Sequence, residues 1–415
     1  MKKVYIQAYS CRRRLLDSRR IESYFIKNGH KIVNSPKKAD IIFYIACGFH
    51  GDVASHNFKK ITKLQKYKAK LIVAGCLPIN EKENLSKYFT GTTIGTKELN
   101  RADSKIDHIF PENKIKFNEV EDGNICFPLD TKSNIYMKFL RKNILLEKIF
   151  LKILDYFQKL ILGENSFDHI LFPIKQPFHV RIAEGCNNKC SFCIIRFSAG
   201  PFHSKPFNQC IGEFKKGLSE GYKNFVICAV DTGCYGTDIH SSFPELLGAM
   251  VKIPGDYKIS IRTFNAHWLI KYIDELEEIF KSGKIKNIGI AIQSGSPRII
   301  KLMNRSYNLE KVKNAIQRLR AADPNLIIEN HYMVGFPTET EENFQATLNF
   351  INDIDSNFLV FFRFSSRPGT PLDKLQPKIT SEQIEHRIKK AQKYLKNLGY
   401  PHIKDTKRYV AFYKL

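Results

Sequence analysis

The chain has 415 residues, length for two or three domains of ordinary size. A hydrophobic fraction of 43% and a charged fraction of 26%, with 31 Phe and 18 Tyr, exclude disorder over most of the length, and collagen-like or small disulfide-stapled classes with it. Lys plus Arg number 66 against 41 Asp plus Glu, and the net charge of +25 suits RNA, DNA, anionic lipid or phosphorylated substrates, or reflects a Lys-, Ile- and Asn-rich composition. No segment reaches the roughly 18 uncharged apolar residues of a spanning helix. Met1 to Ser10 reads as a strand and not a signal peptide, so a cytoplasmic protein is expected. Its ten cysteines then read as metal ligands or reactive thiols, not disulfides.

In chain order, residues 3–8 read as a strand and 17–27 as a helix with Asp17 and Ser18 as cap candidates. Residues 40–46 read as a buried strand, 56–67 as a helix and 70–74 as another strand. This alternation predicts a small parallel α/β domain over 1–115. Residues 116–175 differ: Glu119 to Gly123 is loop-like, and Ile135 to Leu162 is a long helical candidate with six Lys/Arg against two acidic residues. Such a helix either grips a membrane or partner or packs between two domains. From Phe178 the alternation resumes, with strands over 178–183, 224–230, 258–262, 287–292, 326–332 and 358–364. Helices between them include 208–221, 268–282, 308–322 and 339–354. The pattern predicts a (βα)6 unit over 176–377, open or curled as a partial TIM barrel, with chemistry on the loops after the strands' C-terminal ends. Residues 378–415 hold a basic amphipathic helix (381–398) and a short tail.

The cysteines form two sets. Cys186, Cys190 and Cys193 lie in EGCNNKCSFC, a C-x3-C-x2-C spacing directly after the first strand of the second domain. Three thiolates so close in sequence can wrap one face of a cubane iron–sulfur cluster and leave one iron open to a chelating small molecule. Zinc is the other thiolate reading, though a tetrahedral site wants a fourth ligand. Cys11, Cys47 and Cys76 each follow a predicted strand of the first domain. Parallel strands end on one sheet edge, so these loops can converge and hold a second three-thiolate cluster; the alternative is three buried structural cysteines.

RIAEGCNNKCSFCIIR (181–196), DTGCYG (231–236), QSGSPRIIKLMNRSY (293–307), VGFPTETEENF (334–344) and RPGTP (367–371) resemble, in order and over nearly all of 176–375, the radical S-adenosylmethionine (SAM) methylthiotransferases, which modify tRNA or a ribosomal protein. DTGCYG sits nearest the branch acting on threonylcarbamoyladenosine in tRNA. The resemblance implies that the open iron at Cys186, Cys190 and Cys193 chelates SAM, and that electron transfer into the sulfonium releases a 5′-deoxyadenosyl radical. It also implies an auxiliary [4Fe-4S] cluster on Cys11, Cys47 and Cys76, in a context where AGCLP (74–78) and the Asp17-Ser18 pair match. That cluster would hold a sulfur, methylated by one SAM and then taken up by a substrate radical. The implied cofactors are two [4Fe-4S] clusters and SAM. The implied partners are tRNA or a peptide or protein substrate, an electron donor such as flavodoxin or ferredoxin, and a sulfur donor.

Asp231, Arg262, Gln293 and Ser294 are candidates for binding the rest of SAM. Arg262 would pair with the methionyl carboxylate or stand in an interior ion pair of the barrel. Gly335 and Pro337 suit close approach to adenine, or simply a turn.

The chain also departs from the family. Arg14 replaces the usual Asn three residues after the first cysteine, and Ile45-Ala46 replaces Asn-Thr before the second. The Arg12-Arg13-Arg14 run meets an anionic substrate or forms a solvated face. Cys234 takes a position often Ala, as an extra thiol near the site or a passive one. Cys126, Cys210 and Cys228 read as structural. Relatives usually carry a C-terminal RNA-binding TRAM barrel, whereas about 38 residues follow Pro377 here and no run of short strands fits one. The 135–162 and 387–396 segments are the expected substitutes. The expected activity is methylthio insertion at an unactivated C–H bond of tRNA adenosine-37 derivatives. Its competitors are the same chemistry on a peptide or protein of a natural-product pathway, and a non-catalytic iron–sulfur RNA-binding or redox-sensing relative.

Overall fold

A continuous apolar run marks the centre of the first sheet. In strand β3 (Ile41–Ala46) every residue is buried, Ile41, Phe43 and Ile45 in one apolar cluster and Ile42, Tyr44 and Ala46 in another. A strand buried on both faces needs layers on both sides, which is the parallel α/β solution. The computed structural model describes residues 1–99, 104–126 and 177–414, so the helix read over 135–162 lies outside the described residues.

Strands β1 (Lys3–Tyr9), β2 (Lys31–Ile32), β3, β4 (Lys70–Gly75) and β5 (Thr92–Gly95) form a parallel sheet in the order β2-β1-β3-β4-β5. Helix α1 (Arg12–Lys27) begins earlier than the sequence suggests, with Cys11 and not Asp17 or Ser18 at its N-cap. Asp17 and Ser18 face inward instead: Ser18 Oγ donates to Leu15 O (2.6 Å) and Asp17 enters an ion-pair network. Helix α2 (Gly51–Leu64) follows β3. Phe117 and Val120 pack into the first core, and Arg20 on α1 donates to both their carbonyls (3.0 and 2.9 Å).

The second sheet runs β6 (Phe178–Arg181), β9 (Asn224–Cys228), β10 (Lys258–Asn265), β11 (Ile285–Gln293), β12 (Ile327–Val334) and β13 (Phe358–Arg363), six parallel strands in sequential order. Between β6 and β9 a small ribbon pairs β7 (Ala183–Glu184) with β8 (His203–Ser204). The tail expected after the helix Ser381–Asn397 is a hairpin, β14 (His402–Asp405) and β15 (Tyr409–Tyr413), and β15 pairs antiparallel with β13. Val410, Ala411 and Phe412 are all buried by that pairing. Among the described residues no helix is long and apolar enough to cross a membrane.

The two sheets meet through buried charge. Arg181 at the end of β6 donates Nη1 to Asp17 of α1 (2.6 Å) and Nε to Asp122 (3.1 Å), and Nη2 also pairs with Asp122. Lys205 adds contacts to Asp122 and Glu213 (2.8 Å each). Burial raises the Asp122 carboxyl, but Arg181, Lys205 and Arg20 outweigh it and hold the group below the usual carboxylate range.

Candidate active site

All ten cysteines are free thiols. Strands β1, β3 and β4 are adjacent and in register, with Tyr9 opposite Ala46 and Ala46 opposite Gly75. Cys11, Cys47 and Cys76 follow these strand ends by one or two residues, so the structure brings the second set to one sheet edge. Burial and the neighbouring Cys11 and Cys76 thiols push Cys47 up to about 12. Burial also acts on Cys11, but the Arg13 and Arg14 guanidiniums outweigh it and hold that thiol below its ordinary value. Thr96 Oγ1 donates to Cys76 Sγ (3.6 Å). Gly75 turns the chain into Cys76 at φ +103°, where a Cβ would lie 2.6 Å from the Ala46 carbonyl oxygen.

The first set sits on a loop built the same way. Gly185 (φ +71°) precedes Cys186, and a Cβ there would lie 2.0 Å from Pro201 O. Asn188 donates to Cys186 Sγ from its main chain (3.4 Å) and its side chain (3.2 Å). Burial outweighs these donors and raises the Cys186 thiol, and burial with Cys190 pushes Cys193 up to about 11. Ser191 anchors the loop through Met303 O (3.1 Å) and Leu302 O (2.7 Å).

The segments that follow the two loops pack together. Helix Ile195–Ala199, directly after Cys193, packs on Leu77–Asn80, directly after Cys76. Arg367 of RPGTP, at the end of the second sheet, is buried and donates Nη2 to Gly48 O (2.9 Å) and to Glu81, tying the Cys47 and Cys76 loops to β13. Among the described residues no three Cys, His, Asp or Glu side chains stand close enough to share a single metal ion. The three strand ends that carry Cys11, Cys47 and Cys76 are adjacent, about 4.8 Å from strand to strand.

Asp231 follows β9 and accepts from Asn188 Nδ2 (2.6 Å), Trp268 Nε1 (3.0 Å), Gly233 N and Asn265 N (3.3 Å each). Burial outweighs these donors and raises its carboxyl. Arg262 takes the interior ion pair, with Nη1 2.5 Å from Glu329 on β12. Gln293 closes β11 at φ +80°, and Ser294 Oγ lies 3.2 Å from Thr347 Oγ1. Gly335 (φ +85°) donates its N–H to Glu339 (2.8 Å), and Thr338 after Pro337 is left-handed at φ +67°. Left-handed non-glycine residues near these strand ends (Thr263, Gln293 and Thr338) are the kind of strain that gathers at functional sites. Cys234 is buried and donates to Asp231 O (3.2 Å); Cys126 and Cys228 share a small apolar cluster with Leu16 and Val226, and Cys210 lies in the main core. Sequence reasoning missed Asn188, Asn265, Trp268 and Arg305. Arg305 donates to Asn265 Oδ1 (3.0 Å), Asn265 to Asn188 Oδ1 (3.2 Å), and Asn188 to Cys186. Asn188 lies within the quoted cysteine motif and Arg305 within QSGSPRIIKLMNRSY, but nothing local joins them.

Known proteins match this chain over most of its length. Residues 180–351 match the radical SAM superfamily and residues 3–95 the uncharacterized protein family UPF0004. A probable threonylcarbamoyladenosine tRNA methylthiotransferase of Pyrococcus horikoshii is 28% identical over 375 residues, 89% of this chain and 78% of that protein. The ribosomal protein uS12 methylthiotransferase RimO of Clostridium botulinum is 30% identical over 386 residues, 90% of this chain and 77% of its own length. The radical SAM methyltransferase TsrM of Kitasatospora setae, solved with cobalamin and a [4Fe-4S] cluster bound, shares the fold at TM-score 0.60 and 10% identity, over 89% of this chain and 77% of that one. With the motif segments in order and a 30%-identical relative matched over three quarters of its length, the chain belongs to the radical SAM methylthiotransferases, enzymes that work with SAM and [4Fe-4S] clusters.

Proposed function

We propose that the protein inserts a methylthio group at an unactivated C–H bond of a tRNA adenosine-37 derivative, with one [4Fe-4S] cluster on Cys186, Cys190 and Cys193 and a second on Cys11, Cys47 and Cys76. The observation that carries this reading is the pair of three-cysteine sets, each following strand ends of its own parallel sheet, with the helices after Cys193 and Cys76 packed together. When bound, the clusters and SAM supply a carbon radical and the sulfur and methyl group to be transferred. The chain's residues hold and tune. Arg13 and Arg14 favour the Cys11 thiolate, and Asn188 donates to Cys186 while Asp231 fixes the Asn188 amide. Gln293, Ser294, Gly335 and Pro337 line the loops after β11 and β12 and are proposed SAM contacts. Asp231 and Arg262 act there through the groups they hold. An electron donor such as flavodoxin or ferredoxin and a sulfur donor complete the reaction. The proposed division is 1–115 for the auxiliary-cluster domain, 116–175 for the connecting segment, 176–377 for the SAM domain and 378–415 for the C-terminal helix and hairpin.

The net charge of +25 and the tRNA-named Pyrococcus relative favour RNA. The 30% identity to the ribosomal-protein enzyme supports a protein substrate as the second reading. Anaerobically reconstituted protein is expected to bind about eight irons, two cubanes, and the C11A/C47A/C76A variant about four, with SAM cleavage retained. Unchanged iron content in that variant overturns the two-cluster reading. Mass spectrometry of tRNA nucleosides, with and without the gene, is expected to show a methylthio-adenosine species only with it. Identical tRNA, with SAM cleavage intact, moves the reading to a protein substrate.

A further inference from the structure

The loop that carries Cys186, Cys190 and Cys193 is held by one short stretch of chain, Leu302 to Arg305. Ser191, the residue after Cys190, donates Oγ to Leu302 O (2.7 Å) and its main-chain N–H to Met303 O (3.1 Å). Asn304, left-handed at φ +54°, donates its side-chain amide to Lys189 O (2.8 Å). The Arg305 guanidinium lies 5.8 Å from the centre of the Phe192 ring. Leu302 closes helix Pro297–Leu302 and is 37% exposed. The backbone of a surface residue is thus one hydrogen bond from Ser191, which adjoins Cys190.

The same surface is basic. Lys189, Arg298 and Lys301 are exposed. Arg298 donates to Thr338 and Asn343, which are neutral, and among the described residues none of the three cations pairs with a carboxylate. Beside Lys301 opens a cleft of about 870 Å³ with an apolar wall of Ile300, Leu309 and Phe350. Its acids, Glu310 and Asp353, belong to the two helices beyond, and Asp353 is paired with Lys313 (3.1 Å). The patch therefore presents an apolar side chain among unpaired cations, at the point where the cysteine loop is tied to the surface.

We propose that this patch is the surface on which a small acidic electron-carrier protein docks to reduce the cluster on Cys186, Cys190 and Cys193. The inference rests on that cluster assignment and adds the place where the electron enters. Electron transfer slows steeply with distance, so a carrier must dock against the cysteine loop. Lys189 and the Leu302 stretch tied to it are exposed there. Electron-transfer encounters are small and transient, burying under about 1,200 Å² in all. Opposite charge steers them and sets their orientation. The step moves one electron from the reduced carrier to the cluster and leaves the carrier oxidised; no bond forms or breaks. A phosphate backbone would use the lysines alone, whereas the exposed Leu302 and its hydrogen bond to the cysteine loop favour a protein.

The test uses the anaerobically reconstituted full-length protein, with a flavodoxin and a [4Fe-4S] ferredoxin as the two probes. Wild type should bind at least one of them in a titration, more weakly as salt rises. K301E should weaken that binding about tenfold, with K301Q and L302A falling between. Carrier-driven SAM cleavage should fall with it, while dithionite-driven cleavage, iron content and the KM for SAM stay as in wild type. Wild type that binds neither carrier overturns the proposal, and so does K301E with unchanged carrier affinity. If K301E weakens the binding of tRNA alone, the patch serves the RNA and the proposal falls. An equal loss under dithionite places Lys301 in the support of the cysteine loop, which also overturns it. Lys301-dependent carrier binding by a protein that cleaves SAM with neither reductant would sink the cluster assignment and keep the docking surface.

Discussion

Replacing Arg181 with Met tests how the two sheets are joined. The Arg181 and Asp17 side chains keep 2% of their surface and Asp122 keeps 9%. Arg181 meets Asp17 at 2.6 Å and Glu184 at 3.1 Å, and both other nitrogens reach Asp122. Methionine fills much of the volume but, among the described residues, leaves Asp17 with Arg14 and Asp122 with Lys205 and the more distant Arg20 (3.7 Å). Removing one partner of a buried pair costs about 3–5 kcal/mol, because the remaining charge loses its compensation. We expect R181M to lose that much in anaerobic denaturant unfolding. R181M/D122N should recover part of the loss, since the orphaned charge goes with it. The pH response carries a second signature. Arg181, Lys205 and Arg20 depress the Asp122 carboxyl, so its stabilisation is present above the ordinary carboxylate value and fades as pH falls through the folded one. R181M should therefore flatten the acid limb of stability against pH. A loss under about 1 kcal/mol, or an acid limb like wild type's, would refute the reasoning.

Two further substitutions probe the loops. Gly185→Ala puts a Cβ 2.0 Å from Pro201 O, so the β7–β8 ribbon must shift under Cys186; we expect loss of about half the bound iron together with SAM cleavage. Gly29→Ala, at φ +75° with open space around it, is the control and should cost only about 1–2 kcal/mol with iron retained; equal iron loss in both would show that space at Gly185 is irrelevant. Burial pushes Glu339 up to about 7 despite the Gly335 N–H and Arg387. Its contribution is thus full below the ordinary carboxylate value and lost as pH rises towards 7, so wild type should lose stability over that window and Glu339→Gln should not. Parallel pH profiles in thermal unfolding would count against this.

What was legible in the sequence was what is local. Apolar runs such as IIFYIA and NFVIC became strands because both faces of a parallel strand are buried. The cysteine sets were legible because each follows a strand end, where a parallel topology gathers loops. Asp17 was misread for the same reason: next to Ser18 it has a helix-cap signature, but its partner Arg181 is 164 residues away. The hairpin β14–β15 was missed because two strands of four and five residues carry little pattern, and β15 is stabilised by pairing with β13.

The same division explains where this chain's individuality lies. Glycines that admit the two cysteine loops are fixed by contacts no side chain could share, Gly75 against the Ala46 carbonyl and Gly185 against Pro201. The residues around those loops are under a weaker constraint, because a loop can be braced in several ways. Arg14 stands where relatives usually have Asn and still finds a partner, Asp17, which Arg181 in turn ties to β6. Arg13 braces the loop on a carbonyl and needs no acid at all.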